Sequence, residues 1–254
     1  MLFPIGDDNS DRHITPIVNY ILIGLNIVVF IFLQGMGRDI DFTFAYSTVP
    51  AEILSGLDIV TNSKILEDPI TGQSVEMPGL GVTPIPVYFT LITSMFMHGG
   101  LAHLFGNMMY LWIFGDNLEN AMGHKKYLLF YLICGVLASL SHVFMSAYVN
   151  NNQLVPSLGA SGAISGVLGG YLLLFPSRRV HVWLLWGAMP VPAFVAVGLW
   201  ILFQVINGMG ALGGQEGGGI AYAAHIGGFI AGLILVKMFV NRAAPLPHKS
   251  KPIW

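Results

Sequence analysis

Charged residues are scarce in this sequence. They make up 9% of its 254 residues, whereas soluble proteins carry about 25%. Hydrophobic residues make up 54%, and a soluble fold cannot cover its surface with so few charges. The same composition excludes an intrinsically disordered chain. It predicts an integral membrane protein surrounded by a lipid bilayer.

Basic patches and cysteine are also lacking. The formal net charge is −2 and the pI is near 6.4, so nucleic acid is not expected as a partner. Cys134 is the single cysteine, which excludes an intrachain disulfide and a cysteine-based metal site. The HExxH motif of zinc proteases does not occur. Nothing in the sequence implies a metal or a cofactor.

Long apolar runs predict an all-α polytopic bundle of six transmembrane helices with a long first extracytoplasmic loop. The predicted spans are residues 14–34, 101–115, 127–149, 158–176, 191–206 and 221–240. Residues 1–13 form the predicted N-terminal segment, 14–240 the membrane domain, 35–86 its outer loop, and 241–254 a short tail. An apolar lead-in at 87–97 precedes the second span, and an apolar, Trp-containing segment at 180–189 is expected at the membrane interface.

The distribution of lysine and arginine predicts the orientation. Six spans put both termini on one side, and nine basic residues then lie on that side against two on the other. The nine are Arg12, Lys125, Lys126, Arg178, Arg179, Lys237, Arg242, Lys249 and Lys251, and the two are Arg38 and Lys64. Because cytoplasmic loops are enriched in basic residues, both termini are predicted to be cytoplasmic. The compact plan indicates a bacterial cytoplasmic membrane.

The outer loop 35–86 is long for a simple connection. Phe42 to Leu54 is predicted to form a short helix on the membrane, and Ile65 to Met77 a hairpin around residues 69–72. The alternative is a variable solvated loop.

Polar residues inside predicted spans are candidates for function, because they are costly in lipid. His103 and Asn107 are four residues apart and share one helix face. They are either an interhelical polar clamp or a pair of hydrogen-bond donors. Ser161 opens the fourth span in GASGAISG, as a packing serine or a nucleophile. His225 lies in AHIGG in the last span, where it either faces water or acts as a base.

Small residues recur every fourth position beside both Ser161 and His225. The two stripes are Gly162, Gly166 and Gly170 in the fourth span, and Ala224, Gly228 and Gly232 in the sixth. Such stripes let helices pack closely, so Ser161 and His225 are predicted to meet near the outer face. His225 is then the base that activates Ser161, and His103 and Asn107 donate to the oxyanion. No acid in the outer half of the fourth or sixth span can orient the histidine, so a dyad is predicted rather than a triad.

The segments HGGLAHLFGNMMYLWIFGDNLEN, GASGAISG and AHIGGFIAG, in this order, resemble those of the rhomboid intramembrane serine proteases. The resemblance covers most of residues 88–240. It implies that Ser161 is the nucleophile of an acyl-enzyme mechanism, that His225 is the general base, and that transmembrane proteins are cleaved near the extracytoplasmic face. It implies a structural role for Glu119, and Gly159 matches the family glycine two residues before the serine. Gly162 and Gly228, which belong to the two stripes, are the other structural candidates. It does not indicate the substrate sequence or the oligomeric state.

Two departures from the family pattern are visible. Tyr88-Phe89-Thr90-Leu91 stands where many rhomboids carry a Trp-Arg pair, and Ser165 stands where many have a tyrosine that stacks on the histidine. Another group must then orient His225. The alternative function is a catalytically weak or inactive rhomboid-like protein that binds or escorts membrane proteins. A transporter is disfavoured, because the polar groups cluster in the outer halves of three helices.

Overall fold

The computed structural model describes residues 3–67, 74–149, 151, 153–184, 187–212 and 222–240. Its main helices are α1 (Ile17–Val28, continued by the π-helical Val29–Leu33), α5 (Leu101–Met122), α6 (His124–Tyr148), α7 (Ser161–Leu174), α8 (Ala193–Leu212) and α9 (Tyr222–Phe239). Short helices α2 (Ile40–Ala45), α3 (Pro50–Ser55) and α4 (Thr90–Thr93) lie between α1 and α5, and 3-10 turns at Val87–Phe89 and Ser94–Phe96 flank α4. The strands are β1 (Phe3–Asp7), β2 (Lys64–Glu67), β3 (Ser74–Met77), β4 (Arg179–Leu184) and β5 (Gly187–Pro192).

Each predicted span overlaps a helix of the structure, with differences at the ends. Three helices in the described ranges are long and apolar enough to cross a membrane: His124–Tyr148, Ala193–Gly210 and Tyr222–Phe239. Ile17–Leu33, Val87–Phe96 and Ser161–Leu174 are shorter apolar helical segments. The protein is therefore mainly a bundle of apolar helices, as predicted, and the count of six crossings stays a prediction.

Helix α5 runs seven residues past the predicted end of the second span at 115. The polar residues that suggested an end there are buried and paired. Asp116 forms an ion pair with Arg12 at 2.7 Å. Glu119, fully buried, accepts hydrogen bonds from the backbone N–H groups of Val18 and Asn19 at 3.0 and 2.7 Å. The first backbone N–H groups of a helix have no acceptor within that helix, so Glu119 caps the N-terminus of α1.

The all-α prediction is wrong in one respect, because the chain also forms two small antiparallel sheets. The segment 180–189, expected as an apolar stretch at the interface, belongs to the hairpin β4–β5, and β1 pairs with the other edge of β4. Val180 and Val182 are fully buried, while His181 and Trp183 point outward. This alternation with a period of two is that of a strand with one buried face. The sequence did not reveal this strand, because nearly all residues of 180–189 are apolar and the alternation of buried and exposed positions does not appear in the composition.

The N-terminal segment is folded against the C-terminal ends of α5 and α7. Asp7 on β1 accepts hydrogen bonds from the Tyr171 hydroxyl at 2.6 Å and from Asn117 Nδ2 at 2.7 Å. Arg178 pairs with Asp11 at 2.5 Å. Burial raises the pKa of Asp7 to about 7, although the Tyr171 hydrogen bond acts in the opposite direction. Residues 1–13, predicted only as a terminal segment, thus include a strand that joins α5, α7 and the sheet.

The outer loop contains more structure than a solvated connection. The helix expected at 42–54 is two short helices, α2 and α3, separated by a turn. The predicted hairpin is confirmed in its strands, since Lys64 pairs with Met77 and Glu67 with Ser74. Its turn at 69–72 lies outside the described residues, as do most of the Gly-rich segment 208–219 and the tail 241–254.

Candidate active site

Helices α7 and α9 approach each other at backbone distance. A Cβ atom added to Gly228 would lie 2.2 Å from the carbonyl oxygen of Gly162, and one added to Gly232 would lie 2.0 Å from that of Gly166. The α9 stripe therefore faces the α7 backbone, as predicted. The α7 stripe faces α6 instead, because a Cβ at Gly162 would meet Ala138 at 2.8 Å. Glycines are needed at these positions because any side chain would separate the two helices.

This close packing brings Ser161 and His225 together. Ser161 is the first residue of α7, and His225 lies in the first turn of α9. The distance from Ser161 Oγ to His225 Nε2 is 2.8 Å, which is within the range for hydrogen bonding and proton transfer. The arrangement can move a proton from the hydroxyl to the ring as Oγ attacks an electrophile.

His103 and Asn107 lie beside the turn that leads into Ser161. A Cβ atom at Gly159 would be 2.9 Å from His103 Nε2 and 3.7 Å from Asn107 Nδ2. Gly159 itself has a φ of +121°, which residues with side chains rarely adopt. The turn therefore requires glycine for its backbone conformation and for the space that the two side chains of α5 occupy.

His98 and Gln34 hold this side of the site, and sequence reasoning gave neither of them a role. Asn107 Nδ2 donates to His98 Nε2 at 3.0 Å. Gln34 accepts from the His98 backbone N–H and donates to its carbonyl oxygen, both at 2.9 Å. His98 is fully buried. Its position in the same polar motif as His103 and Asn107 is the signal that could have identified His98 from the sequence.

Gln204 on α8 is the third residue that sequence reasoning missed. Its Oε1 lies 2.7 Å from His225 Nδ1. Ser165, at the position where a stacking tyrosine is common, donates instead to the Ser161 carbonyl oxygen at 2.6 Å. Gln204 is a polar residue within the predicted span 191–206, so the rule that identified the other polar residues applies to it as well.

A small cavity adjoins Ser161. Three other serines, Ser94, Ser139 and Ser157, contribute to its walls together with Gly159. Within the described ranges, no group of three or more His, Cys, Asp or Glu residues is arranged to hold a metal ion. The groups around Ser161 are a hydroxyl, an imidazole and amide donors, a set that suits acyl transfer.

Residues 86–242 match the family model of the Rhomboid domain, and this range is more than half of the chain. The chain belongs to the rhomboid family. Membership makes this rhomboid an integral membrane protein of a family that includes intramembrane serine proteases and related rhomboid-like proteins.

Its relatives come from several kinds of organism. It is 34% identical over 155 residues to "Rhomboid protein 1, mitochondrial" of Saccharomyces cerevisiae, an alignment covering 61% of this chain and 42% of the relative. It is 33% identical over 138 residues to "Rhomboid protease GluP" of Bacillus subtilis, covering 54% and 26%. It is 31% identical over 151 residues to "Presenilin-associated rhomboid-like protein A, mitochondrial" of Danio rerio, covering 56% and 35%.

These alignments cover less than half the length of the relatives. Several relatives are named as mitochondrial proteins, so the comparisons do not support the expected bacterial cytoplasmic membrane. What this rhomboid shares with them is the membrane-embedded Rhomboid domain, which contains every residue of the site except Gln34.

Proposed function

We propose that this rhomboid is an intramembrane serine endopeptidase that cleaves transmembrane proteins near the extracytoplasmic face. The observation that carries the proposal is the 2.8 Å contact between Ser161 Oγ and His225 Nε2. A hydroxyl paired with an imidazole in a membrane-embedded site suits nucleophilic attack on a peptide carbonyl. One of the relatives is named a rhomboid protease.

The first half of the proposed reaction forms an acyl-enzyme. Ser161 Oγ attacks the carbonyl carbon while His225 Nε2 takes the hydroxyl proton. The oxyanion receives hydrogen bonds from the Ser161 backbone N–H and from the side chains of His103 and Asn107. His225 then protonates the leaving amine nitrogen, the C–N bond breaks, and the N-terminal part of the substrate remains as an ester on Ser161.

Water completes the reaction through the same groups. His225 removes a proton from a water molecule that attacks the ester carbonyl, and the second tetrahedral intermediate is stabilised by the same donors. When it collapses, the proton returns to Ser161 Oγ and a carboxylic acid is released.

The proposal includes a topology. We infer a membrane domain of six crossings over residues 14–240, with residues 1–13 and 241–254 on the cytoplasmic side and the loop 35–86 outside. The nine-to-two distribution of basic residues supports this orientation. Ser161 and His225 then lie at the outer ends of α7 and α9.

Substitution of the two reacting residues tests the proposal. Ser161→Ala and His225→Ala should each reduce cleavage of a type I transmembrane substrate in liposomes by roughly 10⁴-fold or more. A serine-directed fluorophosphonate should label wild-type Ser161, and His225→Ala should suppress this labelling. The matched control is Ser141→Ala, because that hydroxyl donates to the Leu137 carbonyl of its own helix. Ser141→Ala should cleave like the wild type.

If folded wild-type protein cleaves nothing and Ser161 does not react, the protease proposal is wrong. The rhomboid-like binding or escort function then takes its place.

A further inference from the structure

Gln204 is a buried amide on a mostly apolar helix. Only 5% of the residue is exposed, and its neighbours on α8 are mostly aliphatic or aromatic. A buried polar side chain costs free energy unless it is hydrogen-bonded, so its partner indicates why it is tolerated. That partner is His225 Nδ1, at 2.7 Å.

The contact determines which ring nitrogen of His225 carries the proton. For His225 to accept a proton from Ser161 at Nε2, its hydrogen must be on Nδ1. Gln204 Oε1 is an acceptor only, so the 2.7 Å contact requires a hydrogen on Nδ1. Gln204, His225 and Ser161 thus form a continuous chain across α8, α9 and α7, with every donor and acceptor matched for proton transfer.

The same helix also contacts the ring of His225 from its side. Trp200 lies one helical turn before Gln204, and its ring centroid is 6.0 Å from that of His225. His103 on α5 and His142 on α6 are close enough to act on His225 through their charge when protonated. The acceptor for Nδ1–H is the uncharged amide of Gln204.

We propose that Gln204 is the positioning residue of this site, holding His225 in the tautomer and orientation that accept the Ser161 proton. The proposal rests on the proposed function and adds a third member to the dyad, contributed by α8. An amide in this place orients the ring, as the asparagine of papain-like proteases does. The position of α8 thereby determines the orientation of the His225 ring toward Ser161.

Two substitutions separate orientation from packing. Gln204→Met keeps the length of the side chain and removes the amide, and Gln204→Glu restores an oxygen acceptor at the same place. Gln204→Met should lower kcat by roughly 10- to 100-fold, the scale of one lost orienting hydrogen bond, with KM within about twofold of wild type. Gln204→Glu should recover most of this loss. The fluorophosphonate labelling rate of Ser161 should follow kcat in both variants.

Asn207→Leu is the matched control on the same helix. The Asn207 amide donates to the Phe203 carbonyl of its own helix, so this variant should keep wild-type kcat. Melting temperatures in detergent should be within a few degrees of wild type for all three variants.

The proposal is overturned if Gln204→Met keeps wild-type kcat, if it raises KM alone, or if Gln204→Glu is as slow as Gln204→Met. It is also overturned if activity falls only in parallel with the melting temperature. These outcomes require a wild-type enzyme whose activity depends on Ser161 and His225. Failure of the proposed function is therefore distinct, since it would appear as inactivity of the wild type or as full activity of Ser161→Ala.

Discussion

Gly159 combines two constraints in one residue. Its φ of +121° is a conformation for glycine, and its missing side chain leaves room for the His103 ring. The turn it forms sets where the Ser161 backbone N–H and the His103 and Asn107 side chains lie relative to one another. A residue without a side chain can thus set the relative positions of the groups around it.

Gly159→Ala should therefore lower turnover by about 10²-fold, the order of one lost oxyanion donor, because the added methyl group displaces the His103 ring. The control is Gly106→Ala on α5, where an added Cβ would meet no atom within 4 Å. The measurement is kcat for both variants, and Gly106→Ala should keep the wild-type value. A Gly159→Ala turnover within twofold of wild type would exclude a geometric role for this turn.

The polar residues of the site differ in how far the sequence predicts their roles. Ser161, His225, His103 and Asn107 could be named because a polar group in an apolar helix is conspicuous, whereas Glu119 was named only through the family resemblance. Gln204 satisfied the same criterion, yet its partner lies on another helix, 21 residues away. Assigning its role required the rotation of α8 about its axis, which depends on packing that the sequence pattern does not specify.

The packing of helix α7 against helix α9 positions Ser161 and His225. The helices touch through backbone atoms, so their separation is fixed by glycine rather than by interlocking side chains. The small-residue stripes predicted that these helices pack together. They did not predict that the α7 stripe faces α6, since three neighbouring helices compete for the same small residues.

Gly232→Ala should push α9 away from α7, because its Cβ would lie 2.0 Å from the Gly166 carbonyl oxygen. We expect a destabilisation of about 2 kcal/mol or more, as for other overpacked positions, together with loss of cleavage. Gly198→Ala on α8 meets no atom within 4 Å and should be neutral. Thermal unfolding in detergent measures both, and equal melting temperatures for the two variants would contradict the contact.

Across the whole chain, apolar runs predicted the helices well and the hairpin β2–β3 was predicted, while β1, β4 and β5 were missed. β1 and β4 pair across 173 residues, from Asp7 to Val180. Local composition carries little information about such a partner. The last seven residues of α5 were likewise left out of the predicted helix, because their partners, Arg12 and the first turn of α1, are remote in sequence.

The topology can be tested with single cysteines in a Cys134→Ala background. Ser10, Asn62, Asn151 and Ser177 are all exposed. In intact expressing cells, an impermeant maleimide should label Asn62→Cys and Asn151→Cys. Ser10→Cys and Ser177→Cys should react only after permeabilisation. Labelling of Ser177→Cys in intact cells would contradict the predicted crossings.

The pairing of β1 with β4 also imposes an order on how the protein is made. Phe3–Asp7 is translated before Arg179–Leu184, and α1, α5, α6 and α7 lie between them in the chain. Strand β1 therefore cannot pair with β4 until β4 has been synthesised. Closure of this sheet is thus a late event in biogenesis, and it holds Asp7 beside Tyr171 on the helix that begins with Ser161.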